Sequence, residues 1–182
     1  EIRRCGTERF EVVEMDKTRG KISFIAGERE SGPFRSIVVE KSYKLRKDTL
    51  TVSYTLSNRG EAETTFCFSP VIELSFPGDG EDYQRVFVNG TAVSREQGEG
   101  NPLTVSQAEL LKFQDLKNET IITLEADKIF DAWIIPVYCA IPGEDGAPGQ
   151  NPYQSTRTVP LLKVSLPPGK NWGVVFSLKF TN

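Results

Sequence analysis

The chain has 182 residues, 38% of them hydrophobic, enough for one domain over residues 1–182 that buries about 70% of its unfolded surface without disulfide staples. Its 22 basic and 25 acidic side chains include no basic cluster that would follow a phosphate backbone or an anionic lipid surface, which argues against nucleic acid and membrane as partners. The absence of histidine removes Ser-His-Asp and Cys-His nucleophile systems and the usual zinc ligand sets, leaving carboxylate, lysine and tyrosine chemistry.

In chain order, extended segments are expected at FEVVEM (10–15), KISFIA (21–26) and SIVVEKSYKL (36–45), each rich in β-branched and aromatic residues. TLTVSYTLSNRG (49–60) then puts Leu50, Val52, Tyr54 and Leu56 on one side and Thr51, Ser53 and Thr55 on the other, the period of a half-buried strand. Asn58-Arg59-Gly60 supplies residues that tolerate left-handed angles, so a reversal is expected there. ETTFCFSPVIELSF, with Phe66, Phe68, Ile72, Leu74 and Phe76 on one parity, reads as the partner in an antiparallel hairpin. The stripe itself reads as scaffold, and function is expected in loops and at sheet edges.

Further strands are expected at QRVFVNG (84–90), ELLKFQD (109–115), TIITLEA (120–126), DAWIIPVYCAI (131–141), LLKVSL (161–166) and WGVVFSLKF (172–180). SQAELLKF admits a helical turn, which the following strand cuts short. In the last segment Trp172 shares its parity with Val174, Phe176, Leu178 and Phe180, so it is assigned to the core. Many short strands separated by turn signals argue for an all-β antiparallel sandwich and against a βαβ sheet.

Three cysteines, Cys5, Cys67 and Cys139, are odd in number and show neither CxxC nor metal-ligand spacing, which fits a reducing, cytoplasmic compartment. Cys67 and Cys139 fall inside expected strands and read as small packing residues. No apolar run approaches the roughly 20 residues needed to cross a bilayer, and EIRRCGTERF lacks the hydrophobic segment of a signal peptide. Because the first residue is not Met, the chain is expected to be a piece of something longer.

Two loops carry the candidate chemistry: PGDGEDY (77–83), acidic and Gly-rich, and AIPGEDGAPGQNPYQST (140–156), long and punctuated by proline. Asp79, Glu81 and Asp82 are weak calcium candidates, since Gly90 stands where an EF-hand loop would place its twelfth-position Glu. No motif calls for a cofactor. Carboxylates near position 80 would need a partner at a defined distance to act on a glycoside, and no such pair is legible. Sugar binding needs aromatic faces for pyranose C–H groups, with polar side chains beside them for hydroxyls. Tyr83, Trp133, Tyr153, Gln154 and Arg157 are the candidates, with Tyr83 and Tyr153 placed in loops. Asn89-Gly90-Thr91 and Asn118-Glu119-Thr120 match the glycosylation triplet, which carries no weight in a cytosolic chain.

Taken together, KSYKL, TLTVSYTLSNRGEAETTFCFSPVIELSF, NETIITLEADKIFDAWIIPVYC and YQSTRTVPLLKVSLPPGKNWGVVFSLKF resemble the C-terminal β-sandwich domain of glycoside hydrolase family 57 α-amylases and 4-α-glucanotransferases. The resemblance runs from about Lys41 to Phe180, and Trp133, Pro136, Tyr153 and Gln154 carry its pattern. It implies a large antiparallel sandwich of the galactose-mutarotase-like group. It further implies a non-catalytic accessory domain whose partner is an N-terminal catalytic barrel of the same polypeptide and whose ligand is an α-glucan oligosaccharide. A free-standing carbohydrate-binding module and an immunoglobulin-like interaction domain are the alternatives.

Overall fold

The computed structural model describes residues 10–26, 36–78, 80–94, 102–139 and 151–182. Twelve strands are the only regular secondary structure among them, paired antiparallel. Consequently no helix among the described residues is long and apolar enough to cross a membrane. Two compact units share the chain: the described residues up to Phe66 with Lys163–Leu178, and Cys67–Leu162 with Lys179–Asn182.

In the first unit, β1 (Glu11–Asp16), β2 (Lys21–Ala26), β3 (Ile37–Arg46), β4 (Thr49–Asn58) and β12 (Asn171–Thr181) lie side by side in that order. The alternation anticipated in β4 is present: Val52 and Leu56 are buried, and Leu50 and Tyr54 are half-buried. Each fully buried aliphatic or aromatic side chain stabilises the fold by roughly 1.5–3 kcal/mol. Tyr54 stands edge-on to Phe176 with ring centroids 6.3 Å apart, and burial pushes its phenol pKa up. On β12, Val174, Phe176 and Leu178 are buried as expected, but Trp172 is half-buried and Phe180 exposed.

The expected hairpin between residues 49–58 and 63–76 does not form. β4 instead turns back on β3, in register from Ile37↔Asn58 to Arg46↔Thr49, through a two-residue turn at Lys47 and Asp48 with Lys47 at φ 51°. β5 (Thr64–Phe68) pairs with β11 (Tyr153–Leu166). Asn58 is not left-handed and works through its side chain. Its Nδ2 donates to the carbonyls of Ala62 and Leu166, both at 2.8 Å, and its Oδ1 accepts the Gly60 N–H at 2.9 Å. Its backbone N–H reaches Lys170 O at 3.1 Å, and its carbonyl accepts from Gly169 N at 2.9 Å. These bonds lead the chain out of β4 toward the β11–β12 turn.

In the second unit β10 (Thr120–Tyr138), β9 (Leu103–Asp115), β7 (Gln84–Val88) and β8 (Thr91–Val93) follow one another, while β11 pairs with β10 and β6 (Ile72–Leu74) with β11. Asn89 and Gly90, at φ 49° and 86°, form the two-residue β7–β8 turn, the conformation this dipeptide favours in tight hairpins. The two strands expected at 120–126 and 131–141 are one, β10, with register irregularities between Glu125 and Ala132. The helical alternative at 106–113 is not realised. Asn89 accepts the N–H groups of Glu109 and Leu110 and donates to Gln107 O, while Asp131 Oδ1 accepts the Gln107 N–H, so the segment stays a kinked strand. Leu111, Phe113, Leu124, Phe130 and Ile134 are fully buried in this unit. Cys67, expected to pack, is exposed on β5, and Cys139 lies just beyond β10, half-buried.

Candidate functional site

The middle of the second unit places chemistry on the face of β10, β11 and β6 that lies opposite its core. Residues across a ladder share a face, so the pairs Trp133↔Val159, Ile135↔Arg157, Val137↔Ser155 and Arg157↔Glu73 set out one surface. The alternate residues Ile134, Pro136, Thr156 and Thr158 are buried on the other side, whereas Trp133, Ile135 and Arg157 are half-buried. Arg157 and Glu73 retain side-chain exposures of 41% and 43%, so the surface is open to solvent at this point.

Glu73 is the centre of the polar contacts. The buried Ser155 hydroxyl donates to its Oε1 at 2.6 Å, and Arg157 Nη2 lies 3.4 Å from Oε1 and 3.2 Å from Oε2. The Ser155 hydrogen bond, aided by Arg157, outweighs partial desolvation and holds the Glu73 carboxyl below the usual range. A carboxylate held in its ionised form is a good hydrogen-bond acceptor and a poor proton donor. Arg157 Nε, on the other side of the guanidinium, is buried without a partner.

Trp133 and Arg157 therefore come together on one face, but the remaining candidates do not join them. Tyr153 is not in a loop; it opens β11 and packs edge-on to Tyr138 with centroids 6.2 Å apart. Its hydroxyl lies 2.7 Å from Thr156 Oγ1, which donates to Gln84 Oε1 at 3.1 Å; Gln84 Nε2 in turn donates to Gly78 O at 3.2 Å. Since the Thr156 proton is committed to Gln84, Tyr153 is the donor, and this chain faces the interior. Thr158, next on the same side, has a buried hydroxyl with no partner. Gln154 is exposed at the irregularity where β11 meets Tyr138, with its carbonyl accepting from Ser75 Oγ at 2.7 Å. Tyr83 is in the 77–83 turn as expected, with Lys117 Nζ 5.2 Å from its ring centroid and Gly78 so close beneath that an added Cβ would lie 2.7 Å from the ring.

Glu81 and Asp82 are exposed in the same turn, and Asp79 lies outside the described residues, as does most of the 140–156 loop. Among the described residues no three histidine, cysteine or carboxylate side chains gather in a metal-binding group. Both asparagines of the glycosylation triplets use their amides internally: Asn89 as above, and Asn118 Nδ2 donating to Asp115 Oδ2 at 2.7 Å. Glu73 and Ser155 are the functional candidates that sequence reasoning missed. The available signal was a charged residue interrupting the apolar run V-I-E-L.

No protein-family model matches the chain, and no curated protein sequence matches it either. Solved structures do. A galactose mutarotase related enzyme from Lactobacillus acidophilus superimposes with a TM-score of 0.69 at 11% identity, over 95% of this chain and 71% of that one. The Slr1438 protein from Synechocystis sp. PCC 6803 gives a TM-score of 0.62 at 11% identity, and the chain covers 94% of itself and only 65% of that protein. A 4-alpha-glucanotransferase from Thermococcus litoralis gives 0.62 at 16% identity, over 95% of this chain but 22% of the enzyme. At such identities the likeness establishes fold alone: a large antiparallel β-sandwich of the galactose-mutarotase-like kind.

Proposed function

We propose that the chain is a non-catalytic accessory sandwich of an enzyme acting on α-1,4-glucan, of the α-amylase or 4-α-glucanotransferase type in glycoside hydrolase family 57. It works beside a catalytic barrel of the same cytoplasmic polypeptide. The observation that carries this reading is an asymmetry of coverage: nearly the whole chain, 95%, superimposes on the 4-alpha-glucanotransferase, yet it accounts for 22% of that enzyme. A sandwich of this fold thus accompanies a much longer remainder there. The segments that resemble the family 57 sandwich fall within the superimposed fold.

The chemistry of this chain agrees with a supporting role. Glycoside cleavage uses two carboxyl groups about 5–9.5 Å apart with their acidities driven in opposite directions. Glu73, tied to Ser155 and Arg157 and held ionised, does not supply the raised-pKa acid of such a pair. A seat for the barrel is offered by β1, which ends the strand order among the described residues and exposes Val12, Val13 and Met15 at 55–59%.

The test is to isolate the native polypeptide with an antibody against this chain. It is expected to be longer than 182 residues and to cleave or transfer maltodextrin, while the chain by itself does neither. A native species without attached or associated glucan-processing activity overturns the reading.

The likeness to the galactose mutarotase related enzyme favours a second reading, an aldose epimerase, because the chain spans 71% of that protein. Interconversion at an anomeric carbon moves one proton onto the ring oxygen and another off the anomeric hydroxyl, which calls for an acid and a base poised near neutrality. With no histidine, this chain has only carboxylate, lysine and tyrosine groups for both tasks. Polarimetry on fresh α-D-glucose and α-D-galactose decides the matter: mutarotation faster than in buffer establishes the second reading.

A further inference from the structure

We infer that the paired tips of the β1–β2 and β3–β4 hairpins form a docking surface for an anionic lipid bilayer, an inference independent of the accessory-domain reading. The β1–β2 turn carries Lys17 and Arg19, with Lys21 opening β2; the β3–β4 turn carries Lys47, with Lys44 and Arg46 at the end of β3. β2 and β3 pair in register from Lys21↔Lys44, and the Leu45 N–H donates to Gly20 O at 3.0 Å, so the two turns lie side by side. Gly20, at φ 60°, permits this approach, because a Cβ added there would stand 2.7 Å from Leu45 O. Six cations thus gather at one end of the sheet against three carboxylates, Glu14, Asp16 and Asp48, in a chain whose net charge is −3. Three of the six come from residues 17–21 and three from 44–47, so no single segment shows the cluster, and the pairing of β2 with β3 creates it.

Two of these cations are neutralised where they stand. Lys21 Nζ lies 2.6 Å from Glu14 Oε2, and Arg19 Nε lies 3.5 Å from Asp16 Oδ2. Asp48 accepts from Thr49 Oγ1 within its own turn. Lys17, Lys44, Arg46 and Lys47 make no ion pair with a described residue, and all of these except the half-buried Lys44 are exposed. The fold keeps these charges against its own preferences. Lys47 takes φ 51° at the first position of a two-residue hairpin turn, a place that suits glycine or asparagine. Lys21 and Lys44 stand directly opposite each other, a like-charge pair that weakens a ladder. Leu45, 58% exposed between Lys44 and Arg46, adds an apolar side chain to the same tip. Cations around an exposed apolar residue complement a bilayer surface, where anionic headgroups meet the former and the acyl boundary the latter. A nucleic-acid backbone offers the first of these and not the second.

The test is co-sedimentation of the whole chain with lipid vesicles. Phosphatidylcholine vesicles containing about one-third phosphatidylserine should bind it at low salt and release it as salt rises toward roughly 0.5 M, while phosphatidylcholine alone should not bind it. Lys47→Gly removes a charge and relaxes the turn, so it should weaken vesicle binding about fivefold without lowering the urea midpoint. A structural defect would move the two readouts together. Adding Arg46→Gln should bring the loss to about tenfold or more, and Leu45→Ser should weaken binding severalfold with every charge in place. Three results overturn the inference. The first is no binding to anionic vesicles at low salt, and the second is binding that Lys47→Gly with Arg46→Gln leaves unchanged. The third is binding to a DNA duplex as tight as to the vesicles, with Leu45→Ser affecting neither.

Discussion

Asn58 in the first unit and Glu73 in the second are both polar residues set into apolar alternation, yet they end in opposite situations. Asn58 is buried, and its side chain spends its hydrogen bonds on Gly60, Ala62 and Leu166. Glu73 is exposed and makes two contacts on its own face, with Ser155 and Arg157. The difference separates a polar group whose hydrogen bonds are all spent inside the fold from one whose carboxylate stays open to solvent: the first locks a chain reversal, and the second joins two strands at their surface. Asp115 belongs with Asn58, since Oδ1 accepts the N–H groups of Lys117 and Asn118 and Oδ2 the Asn118 amide.

The comparison is broken most severely at Asn58. Asn58→Ala strands the buried Leu166 carbonyl and takes away the partners of the part-buried Ala62 carbonyl and Gly60 N–H, and is expected to cost about 2–3 kcal/mol in urea unfolding. A smaller loss is expected at Asp115, where Asp115→Ala should cost about 1–2 kcal/mol by the same measurement.

Asp115 also gives a pH dependence. Burial pushes its carboxyl up, but the Asn118 and Lys117 donors more than offset this and leave it below the usual range. A lowered folded value means the stabilisation is fully present above the ordinary Asp range near pH 4 and is lost as pH falls through the folded value. Urea midpoints measured from pH 6 to pH 2 should show that loss, and Asp115→Asn should reduce it. A slope equally steep in that variant would assign the acid sensitivity elsewhere.

Thr158 sharpens the contrast in the opposite direction, because its buried hydroxyl has no partner. Thr158→Val keeps the shape and removes the orphan, so it should raise stability by up to about 1 kcal/mol. The smallest effect belongs to Glu73→Gln, expected within about 0.5 kcal/mol of wild type because an exposed ion pair contributes little. A large destabilisation there would move Glu73 into the same class as Asn58.

Much of the fold was legible locally. KISFIA coincides with β2 (Lys21–Ala26), the alternation of β4 and β12 is borne out at Val52, Leu56, Val174, Phe176 and Leu178, and the all-β class follows from those periods. Of the sugar-binding candidates chosen by residue type, Trp133 and Arg157 share one face of the sheet. Tyr153 was misplaced because the proline-punctuated 140–156 stretch reads as one loop, whereas its last residues are already β11. Glu73 escaped notice because its partners Ser155 and Arg157 are 82 and 84 residues further along the chain.

The residues alone determined where the chain is extended and which side of each strand is apolar, since successive side chains leave a pleated backbone on opposite faces whatever lies alongside. Only the tertiary structure decided which strand pairs with which. Any apolar stripe fits any other: β4 pairs with β3 and β5 with β11, and the exit of β4 is held by a bond from Asn58 to Leu166 that spans 108 residues. The same long-range pairing puts Glu73 across the ladder from Arg157, and Arg157 diagonal to Trp133, which is why the candidate site exists in the folded chain and not in any segment of it.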